Sequence, residues 1–295
     1  MNMDTSQKSK LKGSTWRWVL LSLAVILSLA WLYLTPPGIL GKANAVGYAV
    51  CHRIPERSFK IGNLEMAMCA RCSGLFLGAL LGLIFQVVQG RKGKMPSIPV
   101  AILFGVFALS WVLDGINSFS MLTPRIPSLY QTQNWTRLVT GTGMGLAISA
   151  ILLPAFIQTM FTDWEETSSF SKWYHIVLLL ALAAVLDMLI LLEIPAVQYL
   201  LSLLSAASVL MLLSMIYSMV LVMIFKKENT FESANQLFIP LVGGFMIGLI
   251  QIGAIDLLRY KLTGTWDGFN IAILSTIIKL EDTAVTFYQG SGPQI

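Results

Sequence analysis

Charge is what this chain is short of: acidic and basic side chains make up 12% of its 295 residues, about half the share of a soluble globular domain. An ordinary water-soluble fold is thereby excluded. Cysteine is scarcer still, with three residues, and an odd count excludes a fully disulfide-paired framework within one chain. The chain has no Gly-x-x-x-x-Gly-Lys phosphate loop, no dinucleotide-binding glycine pattern at a strand–helix junction and no Gly-x-Ser-x-Gly elbow. The commonest sequence marks of nucleotide and acyl chemistry are therefore missing. The formal charge of +5 comes from basic residues gathered in short stretches between apolar runs. That is how membrane orientation is encoded, not how a nucleic-acid surface is built, so no nucleic-acid partner is expected.

What fills the space is hydrocarbon. Hydrophobic residues account for 56% of the chain and the mean hydropathy is +0.72, which makes the lipid bilayer the expected partner. Apolar runs long enough to cross it lie at Trp16–Leu34, Gly74–Val88, Pro96–Asp114, Arg137–Met160, Trp173–Leu192, Ala196–Phe225 and Leu237–Leu258. The fold class is all-α, a polytopic transmembrane helical bundle of about seven spans. The first run has a basic flank and aromatic ends but no small-x-small cleavage site, so it reads as a retained anchor rather than a cleaved signal peptide. The apolar stretch Ile271–Ile278 is cut short by Lys279, Glu281 and Asp282 and is expected to be an interfacial helix.

The polar connection Thr162–Lys172 divides the chain into a membrane domain, residues 1–161, and a C-terminal membrane extension, residues 162–295. Gly74, Gly78 and Gly82 recur every four residues, which places them on one helix face and invites another backbone close. Gly141, Gly143 and Gly145 are read as packing residues of the same kind. The basic N-terminus, Arg91-Lys92-Lys94 and Lys226-Lys227 fall on one side under a seven-span count, and that side is expected to be the cytoplasm of a cell-membrane protein.

With this orientation, the residues that carry chemistry converge on the extracytoplasmic face. All three cysteines and one of the two histidines lie between Cys51 and Cys72. Cys69 and Cys72, spaced i and i+3 at a helix start, can reach one metal ion, and a helix N-terminus favours the thiolate that metals require. Cys51 is the third ligand and His52 the candidate fourth, although adjacent residues of an extended chain point in opposite directions unless the backbone turns there. Zinc or another transition metal is the implied cofactor. The same sulfurs could instead cycle between dithiol and disulfide, Cys69 and Cys72 exchanging with Cys51, as in a membrane thiol oxidoreductase. A second group, Arg53, Glu56, Arg57, Arg71, Asp114, Asn117, Asn134 and Arg137, supplies guanidinium forks suited to an anion or a lipid headgroup. That group supports a third reading, a transporter or headgroup binder. Whether the protein is an enzyme is open at this stage.

Cys-His-x-x-Pro-Glu-Arg-Ser-Phe from Cys51 to Phe59, Cys-Ala-Arg-Cys-Ser-Gly from Cys69 to Gly74, Leu113-Asp114-Gly115, and Asn134 with Arg137 ahead of Thr140-Gly141 together resemble the prokaryotic integral membrane proteins grouped as domain-of-unknown-function family 2085. The resemblance spans about residues 46–150. It implies a multi-pass membrane protein whose signature residues are those already singled out, and it brings no activity with it.

Overall fold

A chain with so few polar side chains must satisfy its backbone N–H and C=O groups internally wherever it lies in hydrocarbon, and helices do so within each segment. The computed structural model describes residues 5–120 and 127–268, with side chains from residue 16. Its long helices are α1 (Thr5–Leu34), α3 (Ala70–Val87), α4 (Ile98–Ser120), α5 (Asn134–Met160), α6 (Trp173–Leu191), α7 (Pro195–Ile224) and α8 (Phe238–Thr263). All seven are long and apolar enough to cross a membrane, so the all-α polytopic bundle is the fold. The proposed interfacial helix Ile271–Ile278 lies outside the described residues.

One further helix was not legible as a span. α2 (Ile39–Val50) is too short to cross, and it buries Ala43, Ala45, Val46, Gly47 and Tyr48 against α7 and α8. Lys42 on α2 donates through Nζ to the Thr35 carbonyl at 2.9 Å and to that of Leu32, closing the end of α1. Several helices also outrun the apolar stretches that announce them. α4 continues through Asn117 and Ser118 to Ser120, and α8 runs on to Thr263, because hydropathy marks where hydrocarbon ends rather than where backbone hydrogen bonding stops. The polar residues at these ends are therefore held on rigid helix rather than loop.

α3 and α5 form the most intimate pair. A Cβ on Gly78 would collide with the backbone of Thr142, and one on Gly145 with the backbone of Leu75 and Ala79, so both positions need glycine for the helices to touch. Gln86 reaches across from α3 to the Ser149 carbonyl at 2.9 Å. α4 packs on α5, α7 on α8, and α1 mainly on α8. The outward faces of α1 and α4 are apolar and exposed, as at Leu23, Ile26, Ile102, Val106 and Leu109, which suits helices against lipid.

The two ends of the bundle differ. At one, Arg91 donates to the Glu232 carbonyl at 2.8 Å, Gly93 and Glu165 join across loops, and Lys226 and Lys227 are exposed. The other end carries Cys51, Cys69, Asp114, Arg137 and Arg259. The segment linking the two cysteine blocks there is a short 3-10 turn, Pro55–Arg57, and a two-stranded hairpin, β1 (Lys60–Ile61) and β2 (Leu64–Glu65), turning at Gly62 with φ +61°.

Candidate metal centre

α2 ends at Cys51, whose backbone is extended at φ −136° and ψ 146°. Two residues on, Arg53 adopts φ +50°, a left-handed conformation uncommon for a residue with a side chain. The turn brings the Arg53 N–H back to the Cys51 sulfur at 3.4 Å. From the other block, Cys69 caps the start of α3 with extended backbone, and its N–H donates to the same sulfur at 3.3 Å. Cys72 follows one turn into α3. The three Sγ atoms lie within 4.8 Å of one another, and all three cysteines are free thiols.

These contacts divide the charge unevenly. Hydrogen bonds from Cys69, then Cys72, then His52 hold the Cys51 thiol well below its ordinary range, against the opposing effect of burial. Cys69, hydrogen-bonded to the Cys51 sulfur and buried, is pushed up to about 12. Of these two sulfurs, Cys51 is thus the one on which negative charge is favoured, by two backbone amides and its neighbours, which is how a protein prepares a sulfur for a cation or for nucleophilic attack. His52 lies against the Cys51 sulfur, but its ring nitrogens fall outside the three-sulfur group. Its Nε2 is buried without a hydrogen-bond partner among the described residues.

The second half of the chain braces this centre. Arg259 on α8 donates through Nη1 to the carbonyls of Tyr48 at 2.5 Å and Cys51 at 2.6 Å, and through Nη2 to that of His52 at 3.3 Å. Its guanidinium also sits 4.0 Å over the Tyr48 ring. It thereby neutralises the carbonyl end of α2. Tyr48 Oη donates to the Thr265 carbonyl at 2.8 Å, and Ser202 of α7 accepts from the Ala67 N–H at 2.9 Å. Arg53 turns the same way, donating to the Trp266 carbonyl at 3.0 Å. It therefore stands apart from the other arginines with which the sequence grouped it.

Arg57, Arg71 and Arg137 do come together, along the end of α4. Arg71 pairs with the Asp114 carboxylate and donates to its carbonyl at 3.0 Å; Tyr130 donates to the other carboxylate oxygen at 2.8 Å. One turn on, Ser118 serves the remaining two: its carbonyl accepts from Arg57 at 3.1 Å and its hydroxyl from Arg137 at 3.3 Å. Arg137 also donates to Thr132 at 2.6 Å and Asn134 at 2.9 Å. Asn117 holds the connection to α5, accepting from the Leu129 N–H at 2.7 Å and donating to the Tyr130 carbonyl at 2.8 Å. Asn134 donates to the backbone of Glu56 at 3.3 Å, while the Glu56 side chain is exposed. Ser118, Thr132 and Tyr130 were not singled out in the sequence. The one signal for Ser118 is its position four residues after Asp114, on the same helix face.

Two further polar residues of the spans have partners away from the cysteines, while both carboxylate oxygens of Asp256 on α8 are buried without a hydrogen-bond partner among the described residues. Asp187 accepts from Thr142 at 2.6 Å, and His175 bonds the Ser169 carbonyl at 2.8 Å.

Residues 51–151 match a family model described as predicted membrane protein (DUF2085). An uncharacterised protein of Methanocaldococcus jannaschii is 29% identical over 121 residues, covering 41% of this chain and 72% of the relative. An uncharacterised protein of Methanothermobacter thermautotrophicus is 26% identical over 110 residues, 37% of this chain and 90% of that relative. No solved structure matches the chain. Both cysteine blocks, Asp114 and Arg137 fall inside the matched segment, and it is over residues 51–151 that this multi-pass membrane protein is similar to the DUF2085 family of predicted membrane proteins.

Proposed function

We propose that this protein binds a transition metal ion, zinc by ligand type, through Cys51, Cys69 and Cys72 on the extracytoplasmic face of the cell membrane. The observation that carries this reading is the convergence of three sulfurs within 4.8 Å around a Cys51 sulfur that accepts two backbone N–H bonds. Tetrahedral zinc at about 2.3 Å from each thiolate sets sulfur–sulfur distances near ~3.8 Å, so only a small contraction is required. Three protein thiolates leave a fourth position. His52, whose ring lies against the Cys51 sulfur and whose Nε2 lacks a partner among the described residues, is the candidate for it after a side-chain rotation; where it does not bind, that position is open to water or an exchangeable ligand. Basic residues at the opposite end of the bundle support an orientation with the N-terminus in the cytoplasm.

Elemental analysis of detergent-purified protein, with thiols counted in parallel on wild type and Cys69→Ser, tests the proposal. The expected result is about one metal ion per chain in the wild type and loss of that metal in the variant. Metal-free wild type with two of its three thiols oxidised would overturn it in favour of thiol–disulfide exchange.

A further inference from the structure

Arg57, Arg71 and Arg137 present an unbalanced charge. Each is at most 13% exposed at its side chain or as a residue, and the carboxylate buried with them is that of Asp114, 1% exposed. Burying a guanidinium without a counter-charge costs several kcal/mol, a cost proteins accept at ligand sites more often than elsewhere. Asp114 is already engaged by Arg71 and Tyr130. Among the described residues, Arg137 donates only to the neutral oxygens of Ser118, Thr132 and Asn134, and Arg57 only to the Ser118 carbonyl. Because Ser118 binds both, these two guanidiniums are neighbours. Burial first, and the Arg71 charge second, depress the Arg57 guanidinium, as expected of cations crowded together. The Nε of Arg71 is buried without a partner among the described residues. The groups around the cluster, Glu56, Gln133 and Tyr130, are exposed at the end of the bundle, so it lies just beneath that surface.

We propose that Arg57, Arg71 and Arg137 form a site for a phosphate group, with Arg57 and Arg137 supplying the forks left free by Asp114. Guanidinium forks match phosphate oxygens two at a time, and an anionic phosphate group, singly charged as a diester or up to doubly charged when free, meets a cluster with two more cations than anions. The site is distinct from the three sulfurs and stands whether or not they bind metal. A phosphate group could arrive free or as the headgroup of an anionic phospholipid. Both share the chemistry, and the experiment separates them.

Metal-free and metal-loaded wild-type protein, delipidated in detergent, is titrated with inorganic phosphate and with dihexanoyl phosphatidylglycerol. The reference is sodium chloride at matched ionic strength, with heat of binding and thermal midpoint as readouts. Saturable binding of inorganic phosphate identifies a free anion, and binding of the short-chain lipid alone identifies a headgroup. Arg57→Gln is expected to weaken whichever probe binds at least tenfold, and Arg57→Lys, which keeps the charge and loses the fork, to weaken it less. Cys69→Ser is expected to bind as the wild type does, which separates this site from the metal centre. If neither probe binds the wild type beyond the chloride reference, or Arg57→Gln, shown folded by an unchanged midpoint, binds as tightly as the wild type, the proposal is overturned. Should Arg57→Gln fail to fold, the wild-type titration and Arg57→Lys decide.

Discussion

At the scale of single residues, the centre is organised by an asymmetry among chemically identical side chains. Cys51 receives hydrogen bonds and is held well below the usual thiol range, while Cys69, bonded to it, is pushed up to about 12. A metal takes thiolates, so Cys69, whose thiol is pushed up, must give up a proton on binding, a cost that the lowered Cys51 thiol bears less. Zinc affinity, measured by chelator competition, is therefore expected to rise from pH 6 to pH 8 by about tenfold per unit for each proton released; an affinity flat across that range would remove Cys69 from the ligand set. Asp114 is the second decisive residue. Asp114→Asn leaves Arg71 buried without its carboxylate, and a loss of about 3–5 kcal/mol is expected, read as a lowered thermal midpoint in detergent.

At the scale of elements, the α3–α5 contact sets the position of everything above it, since α3 carries Cys69, Cys72 and Arg71 and α5 carries Arg137. Gly78 faces the backbone of Thr142, and Gly78→Leu is expected to cost about 1–3 kcal/mol. Because the helices must part at that point, the same substitution should also weaken metal retention, although no sulfur is altered. α2 has a comparable constraint: a Cβ on Gly47 would strike the Ala67 carbonyl, two residues before Cys69. The i+4 spacing of Gly74, Gly78 and Gly82 announced close packing in the sequence. Its partner could not be named there, because spacing along one helix says nothing of which other helix lies opposite. α2 itself was unreadable, being too short for a span and too apolar for a surface loop.

At the scale of the molecule, the segment matched to the family holds the three sulfurs, and residues of the C-terminal half brace the backbone that carries them. Arg259 is more than two hundred residues from Cys51 in sequence, yet it donates to the Cys51 carbonyl at 2.6 Å. Arg259→Ala strips charged hydrogen bonds from the carbonyl end of α2, with an expected loss of about 2–3 kcal/mol. The more telling readout is thiol accessibility: Cys51 in the variant should react with a small alkylating reagent well before the wild type does, and equal rates would deny the bracing role. Orientation is tested at the same scale. A phosphatase fused in the connection at residues 127–131 should be active, and one fused after Lys227 inactive; the reverse pattern would place the cysteines in the cytoplasm.

The sequence alone determined that this chain is a bundle of membrane-spanning helices, because backbone groups in hydrocarbon leave no other arrangement for seven long apolar runs. It also determined which residues carry chemistry, since polar side chains are so rare here that each is conspicuous. Tertiary structure decided how they divide. Arg53 and Arg57 are four residues apart, yet one turns toward Trp266 and the other toward Ser118, so the arginines separate into a brace and a cationic cluster. The three sulfurs meet because α2 stops at Cys51 and α3 starts at Cys69, two helix ends whose approach depends on glycine contacts and on an arginine from the far end of the chain. Local spacing encodes neither, since both are contacts between segments remote in sequence.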